Sequence, residues 1–271
     1  MLSTINQNVL VCYLFTSFDN EKSFIDFINH YKKNDSGVKH NLLICFKLLN
    51  EKKIRYLKTL LRNIKYIEFI DPVKLNDYDF GTYKRVAQKY STNLLFFLNS
   101  HSYPLHKNWL KLVMNHYSKN TIIGTSATYE SQLTSLKLKR FYKIFSYLKK
   151  LFIFKNRFPS FPNPHIRTSS FLISASDYIL FTNNKNFYDK KSTWYAESGF
   201  NSLTNFFKKK NYNIYVVNSD GKKFDENNWK FSETYNFLNQ SKSLISDKHS
   251  RKFLDLTFQE RLISSRVNWG D

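Results

Sequence analysis

Only two cysteines occur among the 271 residues, Cys12 and Cys45. Both sit inside apolar, strand-like runs, where a free thiol behaves as a small hydrophobe, so a reduced cytosolic setting follows. No apolar run approaches the length of a membrane span. The run from Val9 to Phe15 also lacks a basic flank before it and a small-residue cleavage site after it, so the chain is expected to be neither secreted nor transmembrane. Equally absent are a Gly-rich phosphate loop of either standard spacing, a Cys/His zinc pattern, a nucleophile-elbow motif and any internal repeat. These gaps remove most of the common enzyme classes. Acidic residues are scarce as well, 21 against 42 basic ones, leaving a formal charge of +21. Such a surplus is the electrostatic footprint of a nucleic-acid binder. Here, however, the lysines accompany many Asn, Ile, Tyr and Phe, a mix that codon bias alone produces, and a nucleic-acid partner is not expected. A phosphate-bearing small molecule or an anionic membrane surface suits the surplus equally.

What is present reads as an α/β protein. Runs at 8–15, 41–46 and, shorter and more mixed, 65–70 are expected strands, with helices through about Lys32 and from about Glu51 to Arg62 between them. That alternation argues for βαβ units and a mostly parallel sheet flanked by helices. The chain is organised around Leu94 to Leu98, an apolar run that stops at Asn99-Ser100-His101-Ser102, with Pro104 forbidding its continuation. Ligands of open α/β sheets bind outside the carboxyl ends of such strands, which makes Asn99, Ser100 and His101 site candidates. The alternative is an ordinary turn capping a helix from about His106 to Ser118. Further strands are expected at 121–128, 169–174 and 213–217. One large domain, 1–221, accounts for these elements, and 222–271, polar and irregular, is expected as a tail packed on it.

Asp71, Asp77 and Asp79 precede a helix bearing Tyr83, Val86 and Ala87, where capping and the helix dipole offer them a structural role as readily as a ligand does. Gly81, at the helix start, lets a ligand or another backbone approach closely. The proline-set loop 158–168 carries His165 and Arg167 on one face of an extended segment, both suited to anionic oxygen. Glu197 is expected to open a helix running from Trp194 to about Lys210, with capping again the alternative. Between 136 and 158, Leu136, Phe141, Ile144, Phe145, Leu148, Leu151 and Phe152 recur at helical spacing among eight basic residues and no acidic one. This basic amphipathic insertion either lies on an anionic membrane or packs on the domain by its apolar face.

In their order, four segments resemble the nucleotide-sugar glycosyltransferases of the GT-A fold, family 2-like: the strand-helix start, Asp77-Tyr-Asp-Phe-Gly81 through Ala87, Leu94 through His101, and Glu197. The run Phe161-Pro-Asn-Pro-His-Ile-Arg-Thr168, with Glu197-Ser-Gly followed by Ser202-Leu-Thr, is similar to a bacterial group of glycosyltransferases, and the likeness spans about residues 8–220. The resemblance implies an inverting transfer from a nucleotide-sugar donor to a glycan or lipid-linked acceptor in bacterial surface polysaccharide synthesis. Glu197 would then be the base, with Glu130 the next candidate. Asp71, Asp77, Asp79 and Gly81 would surround a uridine or guanosine nucleotide, and Asn99, Ser100 and His101 would meet its diphosphate. His101, His165 and Arg167 would absorb the developing charge. Where that family has Asp-X-Asp, this chain has Asn99-Ser100-His101, a poor Mg²⁺ cradle, although His101 suits Mn²⁺. Metal-independent transfer is therefore expected, in a cytoplasmic protein peripheral at the inner face of the membrane. The alternatives are an inactive binding module of the same fold and a basic nucleic-acid-binding protein.

Overall fold

Apolar alternation in the first strand, β1 (Val9–Thr16), decides the architecture. Leu10, Cys12 and Leu14 enter one hydrophobic layer, while Val9, Val11, Tyr13 and Phe15 enter the other. A strand buried on both faces needs helices on both sides of its sheet. The computed structural model, which describes residues 8–137 and 141–270, supplies them. Asn20 caps α1 (Glu21–Lys33), which returns the chain to β2 (Asn41–Lys47), and Asn50 caps α2 (Glu51–Leu60) ahead of β3 (Ile67–Ile70). Next come α3 (Tyr78–Lys89), β4 (Leu94–Leu98), the short β5 (Tyr103–Pro104), α4 (Trp109–Met114), β6 (Thr121–Gly124) and β7 (Ala127–Thr128). The middle of the chain holds α5 (Ile144–Lys155), β8 (His165–Ile166), β9 (Ser170–Ser174), α6 (Ala175–Thr182), α7 (Lys190–Ser198) and α8 (Leu203–Lys208). It closes with β10 (Asn213–Val217), β11 (Lys223–Phe224), β12 (Ile245–Ser246), α9 (Lys248–Leu254) and α10 (Phe258–Trp269).

Eight strands form the central sheet in the order β11-β10-β6-β9-β4-β1-β2-β3. The pairings of β1 with β2 and β4, of β2 with β3 and of β6 with β10 are parallel, so the expected mostly parallel α/β sheet is what the chain forms. β9 runs antiparallel between β4 and β6, with Leu98 opposite Ser170, and β11 lies antiparallel to β10 at one edge. Its entry, Thr168-Ser169, consequently lies at the edge where the parallel strands leave the sheet. The Asn99 amide donates to the Ser169 carbonyl there at 3.0 Å.

Three expectations change. The helix expected from Trp194 to Lys210 is two helices. An Asp189/Ser192 capping box starts α7, the chain is extended at Gly199, and Ser202 caps α8, so Glu197 lies in the last turn of α7 and opens nothing. Residues 222–271 are not irregular. They carry α9 and α10, each begun by a capping box, and bury Trp229, Leu244, Ile245 and Trp269. Finally, the amphipathic insertion does not pack by its apolar face: Phe154 is buried, but Phe145 is 83% and Phe152 71% exposed, with Ile144 and Leu148 also outward. Lys139 and Arg140 of that segment lie outside the described residues. Among the described residues no helix is long and apolar enough to cross a membrane.

Candidate functional site

Along the carboxyl edge of the sheet runs a cleft with two lobes, which meet at Asp79, Asn99, Thr168, Trp194 and Glu197. The first lobe, about 380 Å³, lies between the end of β1 and the start of α3, against Thr16, Asp19, Asn76, Ser100 and Lys190. The second, about 290 Å³, is walled by Glu130, His165, Arg167, Tyr235 and His249. Strand polarity explains the meeting point. β1 and β4 deliver their carboxyl ends, while antiparallel β9 delivers its beginning, Thr168, to the same place.

Glu197 is anchored by Thr168, whose amide (3.1 Å) and hydroxyl (2.9 Å) both donate to Oε1. Its position cannot serve α7, because the carbonyl end of a helix is the negative end and disfavours a carboxylate. Capping therefore does not account for this residue. Across the junction, Asp79 lies in the first turn of α3, its Oδ1 accepting from the Phe80 amide at 3.0 Å. Burial, reinforced by the Glu197 charge, pushes the Asp79 carboxyl up to about 7, so near neutrality it holds a proton part of the time. The junction thus brings two carboxyl groups together, one of them raised by burial and by the charge of the other.

Asp71 and Asp77 are engaged elsewhere. Lys47 and Arg85 sit between them: Lys47 Nζ pairs with Asp77 and stands 3.3 Å from Asp71. Arg85 Nε donates to Asp71 at 2.7 Å and its Nη1 to Asp77 at 2.6 Å. Burial alone would raise Asp71, but Arg85 and the Thr82 hydroxyl outweigh it and hold the carboxylate low. Two anions and two cations thus form a neutral cluster under α3, which fixes the helix and neither lobe of the cleft. Gly81 belongs to it. A Cβ there would come within 2.1 Å of the Asp77 carboxyl, so the glycine makes room for that side chain.

The polar end of β4 folds onto itself. Asn99 Oδ1 accepts from the His101 amide (3.1 Å) and the Ser102 hydroxyl (2.8 Å). His101 Nε2 approaches Asp19 Oδ1 at 3.3 Å, while Thr16 donates to Asp19 Oδ2 from both its amide (2.8 Å) and its hydroxyl (2.7 Å). Burial would raise Asp19, yet donors from His101, Thr16 and Ser100 prevail and keep it ionised. These residues do not fit a divalent cation. The Asn99 oxygen is turned to its own loop, His101 is spent on Asp19, and no group of three His, Cys, Asp or Glu converges anywhere among the described residues.

In the second lobe, His165 Nδ1 lies 2.8 Å from the Asn163 carbonyl. A carbonyl only accepts, so Nδ1 carries the proton. Burial lowers the ring's pKa against the pull of Glu197, which leaves Nε2 a lone-pair acceptor. His165 is therefore not the cation expected from sequence. Arg167 is a cation but a paired one: its guanidinium binds Asp247, the N-cap of α9, and stacks 3.8 Å over the Tyr235 ring. Asp247 is held at about 2; burial opposes this, and the Arg167 charge beside it overrides burial. Sequence reasoning missed Asp19, Thr168, Tyr235, Asp247 and His249. Asp19 had a signal, an acid in the loop after a buried parallel strand; the last three came from the stretch read as a tail.

No protein-family model and no curated protein matches this sequence. Among solved structures, the chain is similar to one of GalNAc-T7 with UDP, GalNAc and Mn²⁺, at 14% identity and a TM-score of 0.34, over 45% of this chain. It spans 23% of that protein's length. It is also similar to the galactosyltransferase LgtC in complex with donor and acceptor sugar analogues, at 10% identity and a TM-score of 0.43, over 78% of this chain and 73% of the other. At those values neither likeness fixes the chemistry of this chain.

Proposed function

We propose that the chain is a nucleotide-sugar-dependent glycosyltransferase that inverts the transferred centre. The observation carrying this is the junction of the two lobes at Asp79 and Glu197, which lets a donor in one lobe and an acceptor in the other meet over a carboxylate. A nucleoside diphosphate fits the first lobe, with Asp19, Asn76, Asp79 and Ser100 about the nucleoside and Lys190 toward the phosphates. Asp71 and Asp77 hold α3 in place from below. In the reaction the acceptor oxygen bonds to the anomeric carbon as the bond from that carbon to phosphate breaks. The electron pair leaves with the nucleoside diphosphate, and the acceptor's proton passes to Glu197. One displacement inverts the centre. Lys190 and neighbouring donors, in place of a metal ion, offset the charge on the leaving group.

The acceptor belongs in the second lobe, where Nε2 of neutral His165 can receive a hydrogen bond from a sugar hydroxyl. Helix α5 would bring this lobe to an anionic membrane, its exposed aromatics meeting the bilayer and Lys149 and Lys155 the headgroups, in keeping with a role in surface polysaccharide synthesis. Each basic residue near such a surface contributes about 1 kcal/mol.

Thermal shift across a nucleotide panel tests the donor lobe, since one diphosphate should stabilise the protein. Glu197→Gln keeps the Thr168 hydrogen bonds but takes no proton, so turnover should fall about 10²- to 10⁴-fold with nucleotide affinity unchanged. A fully active Glu197→Gln enzyme would move the base elsewhere, first to Glu130.

A further inference from the structure

We propose that the cavity between the 131–137 segment and α5 binds the anionic head of an amphiphilic acceptor, a phosphate or diphosphate joined to an apolar chain. This rests on the glycosyltransferase reading above and names its acceptor class. The cavity, about 540 Å³, is continuous with the cleft: Gln132 and Trp194 wall both this cavity and the acceptor lobe. Its charge has one sign. Lys137, Lys143 and Lys150 line it, no acidic residue does, and none of the three pairs with a carboxylate among the described residues.

The helix is built for two environments at once. Lys143, Tyr147, Lys150 and Phe154 recur at helical spacing and turn toward the cavity, whereas Phe145, Leu148 and Phe152 form a separate outward stripe. A helix whose only task was to lie on a bilayer would keep its lysines at the headgroups and would need no cavity beneath them. With a phosphate among the three lysines, the apolar chain can leave past Tyr147 and Phe154 toward the outward stripe and the membrane. The sugar end passes Gln132 and Trp194 to Glu197. Three cations facing one diphosphate offset its charge, and multiple charge-assisted contacts give the selectivity that a bare lipid surface lacks.

The test is calorimetric titration of the full chain with a short, water-soluble isoprenyl diphosphate, in the presence of saturating nucleoside diphosphate. Inorganic pyrophosphate and the corresponding uncharged alcohol serve as comparisons. The isoprenyl diphosphate should bind with nucleotide in place, and both comparison probes should bind at least about tenfold more weakly. Lys143→Glu with Lys150→Glu, both on the exposed helix, should weaken binding at least about tenfold and leave nucleotide affinity unchanged. Unchanged amphiphile binding in that variant, or displacement of the amphiphile by nucleotide, would overturn the assignment. So would pyrophosphate binding as tightly as the amphiphile, because the apolar chain would then have no site. Absence of nucleotide binding would instead overturn the glycosyltransferase reading, and the two failures are read from separate titrations.

Discussion

Replacing Asp79 by Asn should make the protein more stable above neutral pH and leave it unchanged in mild acid. The carboxyl moves from an ordinary 3.8 to about 7 in the folded chain. An acid raised in this way binds its proton more tightly folded than unfolded, so folding is penalised once the proton is lost. The penalty is absent below the unfolded value, grows as pH rises from about 4 to about 7, and is constant above that. A gap of this size corresponds to about 4 kcal/mol at most. Solvent reaching the half-buried carboxyl reduces this, and a gain of about 1–2 kcal/mol is expected. The amide of Asp79→Asn is neutral throughout and keeps an oxygen for the Phe80 N–H, so the difference between the two proteins isolates the titration. Urea denaturation at pH 4 and pH 8 reads it directly. The midpoints should nearly coincide at pH 4 and separate at pH 8, with the variant higher. Because burial is the larger cause and Glu197 the smaller, Glu197→Gln should close only the lesser part of the gap. A variant destabilised equally at both pH values would refute the coupling of Asp79 to its surroundings.

Arg167→Met leaves Asp247 buried without its cation and should cost about 3–5 kcal/mol in chemical denaturation. Adding Asp247→Asn to it should recover much of that loss. Gly81→Ala forces Asp77 away from Lys47 and Arg85, and a loss of about 1–3 kcal/mol is expected, read as a lower thermal midpoint. Turnover, once a donor is found, should survive a chelator; loss in chelator reversed by Mn²⁺ would contradict the ligand geometry at Asn99 and His101. Sedimentation with vesicles should require anionic lipid and weaken with salt, and equal binding to neutral vesicles would remove the charge of α5 from the account.

β1, β2 and β4 were legible because a strand buried on both faces must be apolar at nearly every position, a pattern few other structures impose. The junction was half legible. Glu197 stood out as an acid near a helix, but its place at the end of α7 depends on a capping box that precedes the run read as helical. The fate of Asp71 and Asp77 was invisible, since Lys47 lies 24 and 30 residues away from them and nothing local links the three. The last helices escaped for a different reason. α10 turns Phe258 and Ile263 to solvent and buries only Asn268 and Trp269, so its apolar residues trace no core-facing stripe.

The dependence of the second lobe on the end of the chain sets an order in time. Every residue named in the first lobe has been synthesised once Glu197 emerges, and the sheet through β10 is complete at Val217. Arg167, however, waits for a partner 80 residues later in Asp247, and Thr128 for one 140 residues later in Asn268. A chain that had emerged from the ribosome only to residue 221 would hold the first lobe beside a half-walled second one, open to water. Under the proposed function, water would then be the hydroxyl within reach of a bound donor, so the late helices would separate transfer from hydrolysis during synthesis.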